Sequence, residues 1–311
     1  MPSRNATTAS AWLDDATWRR TLDDGSLIEA TARPDSPVLE RFFAGYDRAF
    51  VLPDEKETLQ GFRDCLALNL GQRHAFGRTH CELAVTLSSK EAHLLGGANF
   101  LATAHPGQPE APRVTVALNY LYVDRAVRGR GLLRKILAIV RTLAPRSVGL
   151  DGEKSALPAA VFIELNDPLK MTAEHYRRDT EHSGLDQVSR LAIWSKVGAR
   201  ILDFPYVQPP LSSGQAPDDG LAYAALDYPS DTVPAAVLHD HLQSFFAISV
   251  LKGRLPECDA TAATQLQALR QREQPVRLLD IAHILDALRS DFARARRHRS
   301  LRGMIKGMRD E

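Results

Sequence analysis

Between Arg113 and Val140 the chain reads as one long apolar strand, a turn with two glycines set between arginines, and an amphipathic helix. The strand is Arg113 to Val123, and Leu133, Ile136, Leu137 and Val140 give the following helix one apolar face, with an expected stop before Pro145. A strand feeding so directly into a helix implies a mixed α/β layer, because each must bury its apolar face on a neighbour. The first amides of such a helix have no intrahelical acceptor and point along its axis with the positive end of the dipole. Glycine at 129 and 131 keeps side chains out of that space, while Arg128 and Arg130 add positive charge. The turn therefore reads as a cradle for a pyrophosphate. The rival reading, an arginine-rich surface connector, does not explain where the glycines sit. A dinucleotide-binding fingerprint would need a small residue where Arg134 stands, and a Walker A loop would need Gly-Lys-Ser/Thr, so NAD and ATP are disfavoured.

Around this segment strands and helices alternate. Leu27 to Ala32 reads as a strand. Asp35-Ser36-Pro37 opens a helix carrying Leu39, Phe42, Phe43 and Tyr46. Pro53-Asp54 introduces a second, with Leu59, Phe62, Leu66 and Leu70 on one face. Leu83, Val85 and Leu87 alternate as in a strand, and His93 to Ala104 follows, with Gly96-Gly97 marking a close backbone approach. Ala159 to Leu165, Ile201 to Val207 and Leu221 to Leu226 are further strands, and Leu191 to Val197 is a short helix ended by Gly198. After Tyr228 a helix is expected from Pro234 to Leu251, and no strand signal follows. Leu278, Ile281, Leu285, Leu288 and Phe292 give a last long helix a narrow apolar seam for docking. Residues 1–25 read as a loosely packed leader, 26–228 as the main domain and 229–311 as a helical extension. Lys+Arg 39 against Asp+Glu 38 leaves a net charge of +1, which disfavours a global nucleic-acid binder. Three scattered cysteines form neither a disulfide framework nor a metal-ligand spacing, so no metal is expected. The opening residues have no apolar stretch and no run spans a membrane, so a cytoplasmic location is expected.

Arg128-Gly129-Arg130-Gly131-Leu132-Leu133 after Val123-Asp124 resembles the acyl-CoA-binding motif of the GNAT N-acetyltransferase superfamily. The resemblance extends to the element order over residues 26–228. It implies an α/β (α+β) fold with a mixed, mostly antiparallel central sheet flanked by helices. It also implies acetyl-CoA or another acyl-CoA as co-substrate. On this resemblance the amides of Arg128, Gly129, Arg130, Gly131, Leu132 and Leu133 hold the pyrophosphate, Leu121 and Val123 pair with the pantetheine arm as an added strand would, and Asn166 binds the pantetheine side. The superfamily's usual glutamate base corresponds to Asn119, and its usual tyrosine acid to Trp194; neither can play that part.

Acyl transfer to an amine needs a neutral nucleophile, a polarised thioester and a proton for the departing thiolate. Glu164, on the same strand face as Asn166, is the preferred replacement base, with a salt-bridged strand carboxylate as its rival reading. Tyr120 and Tyr122 share one face of the long strand; either offers a proton, with aromatic core packing as the favoured rival reading for both. The segment from Asp167 to Ile193 is longer than the family's usual connection of about two helical turns. It is expected to help form the acceptor site, with Tyr176 as an acid candidate. Arg294 to Arg309 carries seven Lys or Arg and reads as a solvated helix end. The expected activity is acyl transfer from acyl-CoA to an amine by direct attack. A long-chain acyltransferase of the N-acyl amino acid synthase type using acyl carrier protein, and a non-catalytic acyl-CoA sensor or scaffold, stay open. The acceptor's identity and a homodimer also stay open.

Overall fold

The computed structural model describes residues 18–50, 56–71, 77–105, 111–150, 158–211 and 214–310. The first part of the leader and the Pro53-Asp54 helix start lie outside them. The chain forms two compact units: Met1–Ala159 with Gln243–Pro256, and Ala160–Leu242 with Glu257–Glu311. Both are mixed α/β, and within each the strands pair antiparallel.

The first unit holds β1 (Trp18–Thr21), β2 (Leu27–Thr31), β3 (His80–Ser88), β4 (Leu94–Ala104) and β5 (Val114–Val123), each paired with the next. The end of the leader is thus a strand, not loose chain. The turn at Gly25, with φ of 78°, folds it back onto β2. Helix α1 (Pro37–Ala49) starts where the Ser36 hydroxyl accepts from the Val38 amide at 3.2 Å, and α2 (Leu59–Ala67) where the Thr58 hydroxyl accepts from the Gly61 amide at 2.9 Å. Leu39, Phe42 and Tyr46 of α1 and Phe62 and Leu66 of α2 form a buried cluster with Ala84 of β3 and Tyr122 of β5. Each large side chain buried there contributes about 1.5–3 kcal/mol.

Gly96 and Gly97 point to opposite faces of β4 and allow a layer on each. A Cβ on Gly97 would lie 3.1 Å from Phe42 of α1, and one on Gly96 2.9 Å from Ile136 of α3 (Leu132–Ser147). Helix α3 continues past Pro145, where the sequence placed its end. Buried Val140, Leu143 and Ala144 hold the last turn in place, and a proline there removes one hydrogen bond of the ladder. The β4–β5 register shifts between Asn99 and Leu101, whose partners are Tyr120 and Ala117, so β5 bulges at Leu118 and Asn119.

The second unit holds β6 (Ala160–Asn166), β7 (Ala199–Leu202), β8 (Leu221–Leu226), β9 (Thr232–Val233) and β10 (Val276–Asp280), in the spatial order β6-β8-β7-β10-β9. Two sequence expectations are corrected here. The strand expected over Ile201 to Val207 ends at Leu202, because Val207 is instead clasped by Gln265: its amide donates to Oε1 at 3.0 Å and its carbonyl accepts from Nε2 at 2.7 Å. The region after Tyr228, expected to lack strands, contains β9 and β10. Leu278 begins no helix but pairs with Leu202. A short apolar run fits either period, and the exposed edge of β7 decides it.

The unit's helices are α4 (Ala173–Ser183), α5 (Gln187–Ser195), α6 (Ala235–Phe245), α7 (Ala260–Arg270), α8 (Ala282–Ser290), α9 (Phe292–Ala295) and α10 (Leu301–Asp310). The end of α6, from Gln243, and the π-turn Phe246–Val250 group with the first unit. No helix among the described residues is long and apolar enough to cross a membrane.

Candidate active site

The glycine turn stands on the surface. Asp124 closes β5 by accepting from the Ala126 amide at 2.9 Å, and one short 3-10 turn leads to Arg128. Gly129 and Gly131 take φ of 80° and 75°, a left-handed conformation that costs a side chain about 1–2 kcal/mol. A Cβ at either position would meet nothing within 4 Å. Gly131 is the N-cap of α3, so no side chain accepts from the helix's opening amides, and its carbonyl takes the bond from the Lys135 amide at 3.2 Å. Residues 128–131 are exposed, and Leu132 and Leu133 are half-buried. The Arg128 Nε reaches back to the Val123 carbonyl at 3.4 Å, and Lys135 is held by Asp24 and Ser26 at 2.5 and 2.7 Å. The arrangement offers backbone N–H groups and cationic side chains to an anion from an open side.

Leu121 and Val123 pair with Ala98 and Gly96 of β4 and stay half-buried. Tyr122 points into the α1 cluster, donating to the Phe42 carbonyl at 3.1 Å, and burial pushes its hydroxyl well up. Tyr120 on the same face meets the rings of Tyr46, Phe50 and Phe62 at 4.8, 5.5 and 5.5 Å. At the bulge, the Asn119 Nδ2 donates to Asn99 Oδ1 at 2.9 Å and to Ser249 Oγ at 3.1 Å. Behind them stands Glu82 of β3, 1% exposed, accepting from Asn99 Nδ2 at 3.1 Å and from Ser249 Oγ at 2.8 Å. Burial pushes its carboxyl up to about 7, the hydrogen bonds from Ser249 and Asn99 pull it down, and nearby Glu57 raises it further. Sequence reasoning missed this group. Its strand alternation gave Glu82 an ordinary polar position, and Ser249 is 130 residues from Asn119.

In the second unit Glu164 of β6 accepts from the Tyr206 hydroxyl and, at 3.3 Å, from Gln208 Nε2. Tyr206 stacks on Tyr223 at 4.6 Å, and Tyr223 shares a hydrogen with His241 at 2.7 Å. Burial pushes Glu164 up to about 7 against the bond from Tyr206. Asn166 ends the strand opposite Leu221, half-buried. The segment expected as an acceptor loop is instead two helices, α4 and α5, capped by Thr172 and Asp186 and tied by Arg190 and Gln187 to the buried Asp179 at 2.8 and 2.6 Å. Both caps were readable as Thr and Asp just ahead of helical runs. Tyr176 bonds Asp186 at 3.4 Å and, with Met171, Phe292 and Arg296, lines a cavity of about 630 Å³. Among the described residues no group of three or more His, Cys, Asp or Glu is gathered as a metal ion requires.

No family model matches this chain, and no curated protein does. Among solved structures, it is similar to a GNAT-family N-acetyltransferase from Escherichia coli in complex with CoA, at 18% identity over 65% of this chain and 80% of that one, with a TM-score of 0.29. It is also similar to a GCN5-related N-acetyltransferase from Kribbella flavida, at 17% identity over 68% and 96%, with a TM-score of 0.27. A third is the ribosomal-protein alanine N-acetyltransferase from Escherichia coli, at 14% identity over 64% and 92%, with a TM-score of 0.33. At these scores no residue role is carried across from them.

Proposed function

We propose that this chain is an N-acyltransferase that moves an acetyl or other short acyl group from acyl-CoA to an amine by direct attack. The observation that carries the reading is the exposed turn at the end of β5, where Gly129 and Gly131 at positive φ leave open space before the first amides of α3. In this reading those amides, from Arg128 to Leu133, take the pyrophosphate, with the Arg128 and Arg130 side chains adding charge. Leu121 and Val123 run the pantetheine arm along β5 by backbone bonds.

The acceptor must lose a proton as it attacks, and Asn119 has no basic lone pair to take it. A carboxyl with raised proton affinity suits the task. Cys65 and Cys81 are not arranged for a covalent intermediate: both are buried, and burial pushes both thiols up. The test is to incubate the full chain with acetyl-CoA and a panel of amines, following free thiol and N-acyl product by mass. Release of thiol with matching product is expected for at least one amine. Failure of acetyl-CoA to bind at millimolar concentration, with no thiol released, would overturn the reading.

A further inference from the structure

One buried carboxyl that the acyltransferase reading does not use is Glu82. Glu82 lies among neutral donors: each of its oxygens accepts from a side chain without charge, Asn99 on one and Ser249 on the other. Glu57, the charged group that acts on it, is matched by Lys252 at 2.8 Å. The Cys65 thiol is pushed up by burial and donates to the Ser249 carbonyl at 3.7 Å. His80, two residues along β3, is pushed down to about 4 by burial and so is neutral around pH 7. Asn69 contributes only an amide, spanning the backbone of Glu82 at 2.8 Å on both its carbonyl and its N–H. A charge so placed gains no ion pair, so the group binds and releases a proton near neutral pH.

A path leads out from it by way of Ser249. The Ser249 hydroxyl donates inward to Glu82 and accepts from Asn119, and Ser249 is half-buried where Glu82 is buried. A hydroxyl oxygen has two lone pairs, so Ser249 can accept one further hydrogen. It stands in a π-turn, a local widening of the helix that recurs at functional sites. Beside it the Asn119 Oδ1 is buried and accepts no hydrogen bond among the described residues. That is an acceptor costing about 1–3 kcal/mol unless a donor reaches it.

We infer that Ser249 and Glu82 form a proton relay at the bulge of β5, Ser249 receiving a proton from the acceptor amine as it passes its own to Glu82, with Asn119 Oδ1 aligning the amine's other N–H. The inference rests on the acyltransferase reading. The amine nitrogen bonds to the thioester carbon, giving a tetrahedral intermediate with a positive nitrogen. One N–H bond breaks toward Ser249 Oγ, whose own O–H breaks toward Glu82 Oε2. Collapse of the intermediate breaks the C–S bond, and Glu82 then returns the proton by way of Ser249 and solvent to the thiolate. The products are amide and free CoA thiol, with charge and protons balanced. Ser249 is the group that touches the amine; Glu82 acts through it as a positioning residue. Only ionised Glu82 can receive the proton, so the rate falls as acid protonates it.

The test compares the full chain with E82Q, S249A and S249T, using acetyl-CoA and the panel amine that releases thiol fastest. In the unsubstituted chain kcat/KM, referred to the concentration of neutral amine, is expected to fall about tenfold per pH unit below the ionisation of Glu82. E82Q and S249A are expected to lose that limb and about 100-fold or more in kcat, a general-base-sized loss. S249T, which keeps the hydroxyl, is expected to retain the limb. Acetyl-CoA affinity should stay within about twofold throughout. Retention of the acid limb and a near-normal rate in both E82Q and S249A would overturn the relay alone, and S249A decides the matter if E82Q does not fold. An unsubstituted chain that binds no acetyl-CoA and releases no thiol would overturn the acyltransferase reading and the relay with it.

Discussion

At Gly45 a Cβ would lie 2.2 Å from the Tyr122 hydroxyl oxygen, so α1 rests its backbone directly on the ring that anchors it to β5. Substitution G45A is expected to force that ring out of place and destabilise the chain by about 1–3 kcal/mol, the usual cost of overpacking. A urea transition unchanged in midpoint would contradict this. Nothing local in the sequence marks Gly45, because a helix hides which of its residues meets a partner 77 positions away. Tyr120 and Tyr122 were legible as sharing a face, since alternation in a strand is local. That the face is lined with Phe42, Tyr46 and Phe62 was not. Glu82 was hidden by the same logic. Every residue of β3 is buried, so its alternation carries no inside and outside to read.

Among the elements, α3 and the turn before it were the most legible. Their signals lie within one short stretch: a strand, two glycines, a run of apolar residues at helical steps. The turn can be tested as an element. Substitution G131A places a Cβ where no atom now lies within 4 Å, so packing is untouched and only the positive φ of 75° is penalised. The loss in stability should be about 1–2 kcal/mol. Acetyl-CoA affinity should drop by about tenfold or more, because the new methyl occupies the cradle. A substitution equally mild in both measurements would show that nothing approaches the turn closely. By contrast β10 was unreadable as a strand. Val276 to Asp280 satisfies both periods, and only pairing to Leu202 and Val233 settles which is used. Helices α4 and α5 carried their caps in the open. In α4 the apolar period is missing, since the residue it buries is Asp179.

Over the whole molecule, mixed α/β architecture was legible from the alternation of strand and helix signals, and each unit carries five strands among its described residues. The strand order of the second unit was not legible, because it depends on β7 and β10 meeting across 74 residues, as the Asp203–Arg277 pair does. Nor does the chain's net charge of +1 point to any anionic ligand; Arg128 and Arg130 concentrate positive charge at one turn. Titration of acetyl-CoA into the full chain, R128E and R299E therefore measures the central claim most directly. Arg128 and Arg299 are both exposed arginines, but only Arg128 flanks the open amides. R128E is expected to weaken binding by about 10- to 100-fold, as loss of a charge-assisted contact to phosphate would. R299E should stay within about twofold of the unsubstituted chain. Equal losses in the two, or none in either, would contradict a diphosphate held at the head of α3.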